Sequence, residues 1–359
     1  MSAEQQYLDL CQEVLATGSI KTTRGHKHRS IIGNQLKFNL FDKDNNKHIL
    51  PLLTTKKMFT KGIIEELLWF LRGQTDSKIL EETGVNIWSH NSTKEQVDKV
   101  NRRIKNIYEH TNVLVPYDWV DLDPTLQEKQ CGPVYGAQIR SFNYNVTPYI
   151  VDDYETGDRS FSSNWVNANG ITLGDQFTNL IYNLKHDPFS RRHIISMWNP
   201  LQIDFAVLPP CHILYHFIVE PDSEVPTTDD GESVPKYLTL CMTQRSGDLP
   251  LGVPFNMSSC AFLMYIVGHL TGLTPYKLVH TINDAHVYEN QVETMTEQLQ
   301  RQPYPFPTVE LNLAPVPDNF YDQDSFVGKL NTYLDNITRE DFVIKDYQCH
   351  PALKYEFST

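Results

Sequence analysis

Leu208-Pro-Pro-Cys-His212 sets a cysteine between a double proline and a histidine, just ahead of the β-like run Ile213 to Val219. Two prolines stiffen the backbone, and a rigid turn is a good mount for a nucleophile. Arginines in motifs on either side are able to favour the thiolate. Further along stand Gln244-Arg-Ser-Gly-Asp248 and Leu251-Gly-Val-Pro-Phe-Asn256. Arg245 and Ser246 offer a charged fork and a hydroxyl, suited to a phosphate. Asp248 can accept from a ring N–H. Asn256 carries a donor and an acceptor side by side, matching the N3–H and O4 edge of uracil. Cytosine presents the opposite pattern and would suit a carboxylate.

These residues need positioning elements. The opening MSAEQQYLDLCQEVL reads as an amphipathic helix without an apolar leader. Ser30 to Phe41 alternates like a strand, and Asp42 to Lys47 reads as a turn. Lys61 to Arg72 has apolar residues at 63, 64, 67, 68 and 71, a helical period with one wet face that carries Glu66. Gly73 ends it. Asp175 to Asp187 reads as a helix and His193 to Trp198 as a strand. The closing third alternates a long helix over 257–273, a strand, a helix over about 288–301 and a late strand pair. Stretches near 92–130, 144–170 and 220–235 read as surface insertions, the last joining two antiparallel strands. The expectation is one α+β domain over residues 1–359, with no clean linker.

A net charge of -13 argues against nucleic acid or an anionic membrane as the main partner. No apolar run reaches the length of a bilayer span, and Cys260 to Leu273 reads as a buried helix. The six cysteines form no CxxC pair and no disulfide-like density, which suggests a reducing, cytoplasmic compartment.

Pro209–His212, Gln244–Asp248, Leu251–Asn256, Asn283–Tyr288, Glu65–Phe70, Asn86–Trp88 and Gly132–Gly136 together resemble the thymidylate synthase family, in order and in spacing. The resemblance runs from the first helix to the last residue. It implies a large mixed β-sheet with helices, whose bare face packs against a second subunit, and methylation of dUMP at C5 with 5,10-methylenetetrahydrofolate. Cys211 would add to C6. Asn256 would hold the uracil edge, with Gln244 beside it. Arg24, Arg245 and Ser246 would hold the phosphate, joined by Arg191 and Arg192 from the other subunit of a homodimer. His286 and Tyr288 would bind the 3′-hydroxyl. Glu66 would run a water relay to O4, and Tyr135 would help remove the C5 proton. Asp248 would anchor the pterin, with Trp88, Asn91, Leu208, Gly252 and Phe255 lining the folate side. Lys56 and Lys57 are candidates for a polyglutamate tail, and His212 for positioning the cysteine loop. No metal is implied.

The chain departs from the family pattern in four places. The phosphate loop is the bulkier Thr23–Arg29, where Arg29 rivals Arg24. Ile139 stands where the family has a tryptophan, and Asn283 where it has a glycine. The end, Tyr355–Thr359, is polar where the family tends to small apolar residues. A lost aromatic and a polar tail are changes that could admit water ahead of hydride, giving 5-hydroxymethyl-dUMP. A dUMP hydroxymethylase is therefore the alternative. An idle relative that only binds nucleotide or RNA is disfavoured by the intact Cys211 and Glu66, and by the acidity.

Overall fold

The computed structural model describes residues 2–110, 125–142, 150–152, 159–161, 174–222, 233–322 and 325–357. In α1 (Gln5–Thr17), Tyr7, Leu8, Leu10, Cys11 and Val14 form one buried stripe. The hairpin β1 (Ser19–Thr23) and β2 (His26–Asn39) follows, so the basic stretch 23–29 is mostly strand. Its two-residue turn holds Arg24 at φ 52° and Gly25 at φ 84°, the doubly left-handed turn that suits strand twist. β3 (Phe41–Asp42) and β4 (Lys47–Ile49) flank the expected turn, where the Asp42 carboxylate accepts from the N–H groups of Asp44 and Asn45.

α2 (Thr60–Leu71) ends at Gly73, whose φ of +70° reverses the chain. It is buried more broadly than one stripe: Trp69 and Phe70 are inside as well as Ile63, Ile64, Leu67 and Leu68. The face expected to be wet is narrower than the period suggested, and Glu66 on it is only partly exposed. α3 (Ser77–Glu82) is capped by Asp76. α4 (Lys94–His110) lies within the stretch expected as a surface insertion. Val97, Val100 and Ile104, three and four residues apart, are buried. α5 (Tyr135–Ser141) and the pair β5 (Ile150–Asp152) and β6 (Arg159–Phe161) come next. Most of 144–170, all of 111–124, 223–232, and Ser358 and Thr359 lie outside the described residues.

α6 (Gln176–His186) starts at Asp175, whose carboxylate accepts the Thr178 N–H and pairs with Arg140 at 2.9 Å. Then come β7 (Ile194–Ser196), β8 (His212–Pro221), β9 (Pro235–Gln244) and β10 (Gly247–Asp248). α7 (Gly252–Thr271) begins five residues before the expected 257. Pro254 sits in its first turn, where a missing N–H costs nothing. β11 (Thr274–Tyr288), α8 (Val292–Leu299), β12 (Thr308–Leu311), α9 (Phe326–Asn336) and β13 (Phe342–Lys345) complete the chain.

The main sheet runs β1-β2-β11-β9-β8-β7, with β10 added beside β11. β9 and β11 are parallel, β8 and β9 antiparallel as expected for the strands around 220–235. α7 links β10 to β11 and is long and apolar enough to cross a bilayer, yet it is almost wholly buried in the core. On β8, Tyr215, Phe217 and Val219 face that core. The opposite face carries Ile194, His216, Cys241 and Val279 side by side across β7, β8, β9 and β11. Ile194 and Ile218 are 42% and 39% exposed there. β13-β12-β4-β3 form a smaller sheet.

Candidate active site

The turn before β8 is braced from several directions. The Cys211 N–H donates to the Tyr135 hydroxyl oxygen at 2.7 Å, and the His212 N–H reaches the same oxygen at 3.4 Å. The Cys211 carbonyl accepts the Arg245 N–H at 2.9 Å. The Arg245 guanidinium donates to the carbonyls of Pro210 (2.9 Å) and Pro209 (3.0 Å) and lies against the Trp198 ring. The cysteine backbone is thus held on both sides, which the double proline alone could not do.

Burial raises the Cys211 thiol, Arg245 and then Arg24 pull it down, and Asp248 pushes it up. Burial wins, so the expectation that the arginines favour a resting thiolate is corrected. Desolvation of a small charged sulfur outweighs two guanidinium groups held near it. The nucleophile is a thiol at rest and must lose its proton as it adds.

Glu66 is partly buried and accepts the Trp88 indole N–H at 2.7 Å. Stripping of water raises its pKa to about 7, against the opposing pull of that hydrogen bond. A carboxyl poised near neutrality suits proton transfer in either direction. Trp88 is 5% exposed and packs on Trp69, Phe70 and Tyr135. Its only donor goes to Glu66, which leaves the ring to act by packing alone. Tyr135 is buried, and burial raises its hydroxyl well above the usual range, so it is a neutral phenol. His212 is buried and neutral, its pKa lowered to about 4 by desolvation, with Nδ1 2.8 Å from the Tyr215 hydroxyl.

Asn256 lies in the second turn of α7, and its Oδ1 accepts from Gln244 Nε2 at 2.9 Å. Gln244 was expected to touch substrate. It is 1% exposed and stands behind Asn256, its amide committed to protein partners. Asp248 is partly buried and its pKa raised by desolvation. It accepts the Leu251 N–H at 3.1 Å and faces Gln291 Nε2 at 3.4 Å. Leu208, Gly252, Phe255 and Asn91 are partly buried.

Arg24 and Arg29 separate cleanly. Arg24 projects from the β1–β2 turn and acts on both Cys211 and Tyr288. Arg29 pairs with Glu289 at 3.1 Å and donates to the Leu15 carbonyl. Arg191 and Arg192 are exposed between α6 and β7 and are not among the charges that act on Cys211. Ser246 follows Arg245 in the turn before β10. His286 and Tyr288 meet edge to face, with ring centroids 5.1 Å apart. His28, on the neighbouring strand, completes this cluster at 5.4 Å from His286 and 5.7 Å from Tyr288. The sequence reading missed it, although its alternation with Ser30 on a strand was a usable signal.

Lys56 is 5% exposed, donates to the Pro250 carbonyl and lies 4.7 Å over the Tyr355 ring. Desolvation lowers it to about 8. Of the two lysines considered for a polyglutamate tail, Lys56 is thus buried and committed to protein partners, and Lys57 is exposed. The tail is docked here: Tyr355 donates to Gln298 Oε1 at 2.6 Å, and the Glu356 carbonyl accepts from Gln291 Nε2 at 3.0 Å. Ile139 is 3% exposed and lines a cavity of about 10 Å³ with Leu67, Phe70, Leu71 and Phe177. A cavity that small and apolar stays dry.

The family model described as thymidylate synthase matches residues 5–359. The chain is 35% identical to thymidylate synthase of Saccharomyces cerevisiae over 357 residues, covering 99% of this chain and 97% of that one. It is 35% identical to thymidylate synthase 1/2 of Encephalitozoon cuniculi, covering 99% and 97%. It is 34% identical to thymidylate synthase of Homo sapiens, covering 99% and 90%.

Proposed function

The chain belongs to the thymidylate synthase family, and from that premise we propose how its own residues perform the reaction. The protein is a one-carbon transferase that methylates dUMP at C5 to give dTMP. The family uses 5,10-methylenetetrahydrofolate as co-substrate, and when bound here it supplies the carbon and the hydride. The reaction as proposed needs no metal, since both come from that molecule.

The observation that carries the residue roles is that Tyr135 holds the Cys211 turn within electrostatic reach of Glu66, while His212, next to Cys211, hydrogen-bonds Asn256. Cys211 gives up its thiol proton to water and the sulfur adds to C6 of dUMP, while Glu66, close to half protonated at pH 7, delivers a proton toward O4 through water. The negative charge pushed onto the ring is thereby neutralised. Asn256 accepts from N3–H and donates to O4. Arg24, Arg245 and Ser246 hold the 5′-phosphate, and His286 and Tyr288 the 3′-hydroxyl. Tyr135, a neutral phenol, fixes the cysteine turn and passes the C5 proton to water. Asp248 has lone pairs left for ring N–H groups of the pterin, which supports its role as anchor, with Asn91, Leu208, Gly252 and Phe255 around it. The docked Tyr355–Glu356 tail supports closure against water.

Arg191 and Arg192 are proposed to reach the phosphate of a partner subunit. The support for a homodimer is the bare sheet face with exposed Ile194 and Ile218. There the His216 Nε2 and Thr239 Oγ1 are buried without a partner; an isologous contact would cover them. We place the protein in the cytoplasm, a compartment that suits its six unpaired cysteines. Its net charge of -13 disfavours nucleic acid or membrane as main partner.

Incubation with dUMP and 5,10-methylenetetrahydrofolate tests the reading. dTMP with dihydrofolate is expected; 5-hydroxymethyl-dUMP with tetrahydrofolate would mean that water replaces hydride.

A further inference from the structure

Asn256 reads the base with a carboxamide, and a carboxamide has two ends of similar size and opposite polarity. Turned over, the same side chain would offer a donor to N3 and an acceptor to the exocyclic group, which is the pattern cytosine wants. Something other than Asn256 must therefore fix which way round it sits.

We propose that His280 fixes the orientation of the Asn256 carboxamide, through Gln244, and thereby sets the preference for uracil over cytosine. The proposal rests on Asn256 as the base reader. The polarity of the chain is set by the backbone carbonyl of Ser246, which can only accept. Gln244 Nε2 donates to it at 2.8 Å and to Asn256 Oδ1 at 2.9 Å. Gln244 Oε1 then faces His280 Nε2 at 2.7 Å. An amide oxygen only accepts, so the proton of His280 is on Nε2.

The rest of the imidazole agrees with that tautomer. His280 is 0% exposed, and Nδ1 has no hydrogen-bond partner. A buried bare lone pair is tolerated better than a buried N–H without an acceptor. Burial lowers its pKa to about 3, so the ring stays neutral and cannot donate from both nitrogens. His280 lies between Leu278 and Ile282 on the core face of β11, and Gln244 ends the adjacent β9 in register with Ile282. The relay is therefore built into two parallel strands beneath α7.

The consequence for Asn256 follows by polarity alone. A flip of Asn256 would point its NH2 at the NH2 of Gln244. Relief would require Gln244 to flip too, which sets its oxygen against the Ser246 carbonyl and its NH2 against the His280 N–H. Each such buried mismatch disfavours the flipped state by about tenfold or more. His280 is thus a positioning residue: it touches no substrate and acts through Gln244.

The test compares dUMP and dCMP binding by isothermal titration in wild type, His280→Phe and His280→Gln. The phenylalanine removes the donor while keeping an aromatic of similar bulk. The glutamine restores an N–H donor near the Nε2 position. His280→Phe is expected to lower the dUMP-to-dCMP affinity ratio by about tenfold or more, and His280→Gln to recover most of it. A purely structural role would weaken both nucleotides together and leave the ratio alone. A folded His280→Phe protein with the wild-type ratio overturns the proposal. If that variant does not fold, nitrogen-15 NMR of the wild-type imidazole decides: protonation at Nε2 from pH 5 to 8 is required, and protonation at Nδ1 overturns it. Wild-type dTMP synthesis is measured in parallel. Its absence would count against the proposed reaction, whereas its presence with an unchanged ratio counts against His280 alone.

Discussion

Glu66→Gln should stabilise this protein at neutral pH while removing most of its activity. The carboxyl is held at about 7, raised from an ordinary 4.5 chiefly by loss of water. A carboxyl whose folded pKa is raised costs nothing below 4.5, where it is protonated in both states. Between 4.5 and 7 the unfolded chain ionises and the folded one does not, so folding becomes progressively less favourable. Above 7 the full cost is present. At about 1.4 kcal/mol per pKa unit, that cost amounts to about 3 kcal/mol, an upper figure because Glu66 keeps some contact with solvent. Glutamine keeps an oxygen to accept the Trp88 N–H, seen at 2.7 Å, but carries no charge. Urea unfolding at fixed protein concentration should therefore show no gain near pH 4.5 and a gain growing toward about 3 kcal/mol by pH 8. Turnover should fall by about 10² to 10⁴-fold, the usual worth of a positioned acid or base. A stability change independent of pH would show that Glu66 is not desolvated as described. Unchanged turnover would remove it from the proton relay.

Two further expectations follow from the same site. Cys211→Ser should bind dUMP by calorimetry yet lose essentially all turnover, because the hydroxyl is a far weaker nucleophile; wild-type-like turnover would refute the assignment. Arg24→Ala should raise KM for dUMP by about tenfold or more, the scale of one charged hydrogen bond. Arg29→Ala, which loses Glu289 and the Leu15 carbonyl, should instead lower thermal stability and leave KM unchanged; the reverse pattern would exchange their roles.

What could be read from the chain and what could not divide along a physical line. Cys211, Arg245, Asp248 and Asn256 sit in short contiguous motifs whose residue types already match the chemistry of a pyrimidine nucleotide, so they could be proposed from the sequence. Their states were not. The resting thiol of Cys211 and the pKa of Glu66 depend on how much water the surrounding fold removes, and for Glu66 that enclosure comes from α2 being packed on more than one side. The same holds for partners far apart in sequence. Trp88 and Glu66 are 22 residues apart, and His280 and Gln244 are 36. Periodicity records which face a residue occupies but not what lies opposite. Yet His280 did leave a trace: a histidine between Leu278 and Ile282, on the buried alternation of a strand. A polar group at a core position must find a buried partner. Searching strands for such misfits would have pointed to His280 and His28, neither of which lies within the short motifs that carry the family resemblance.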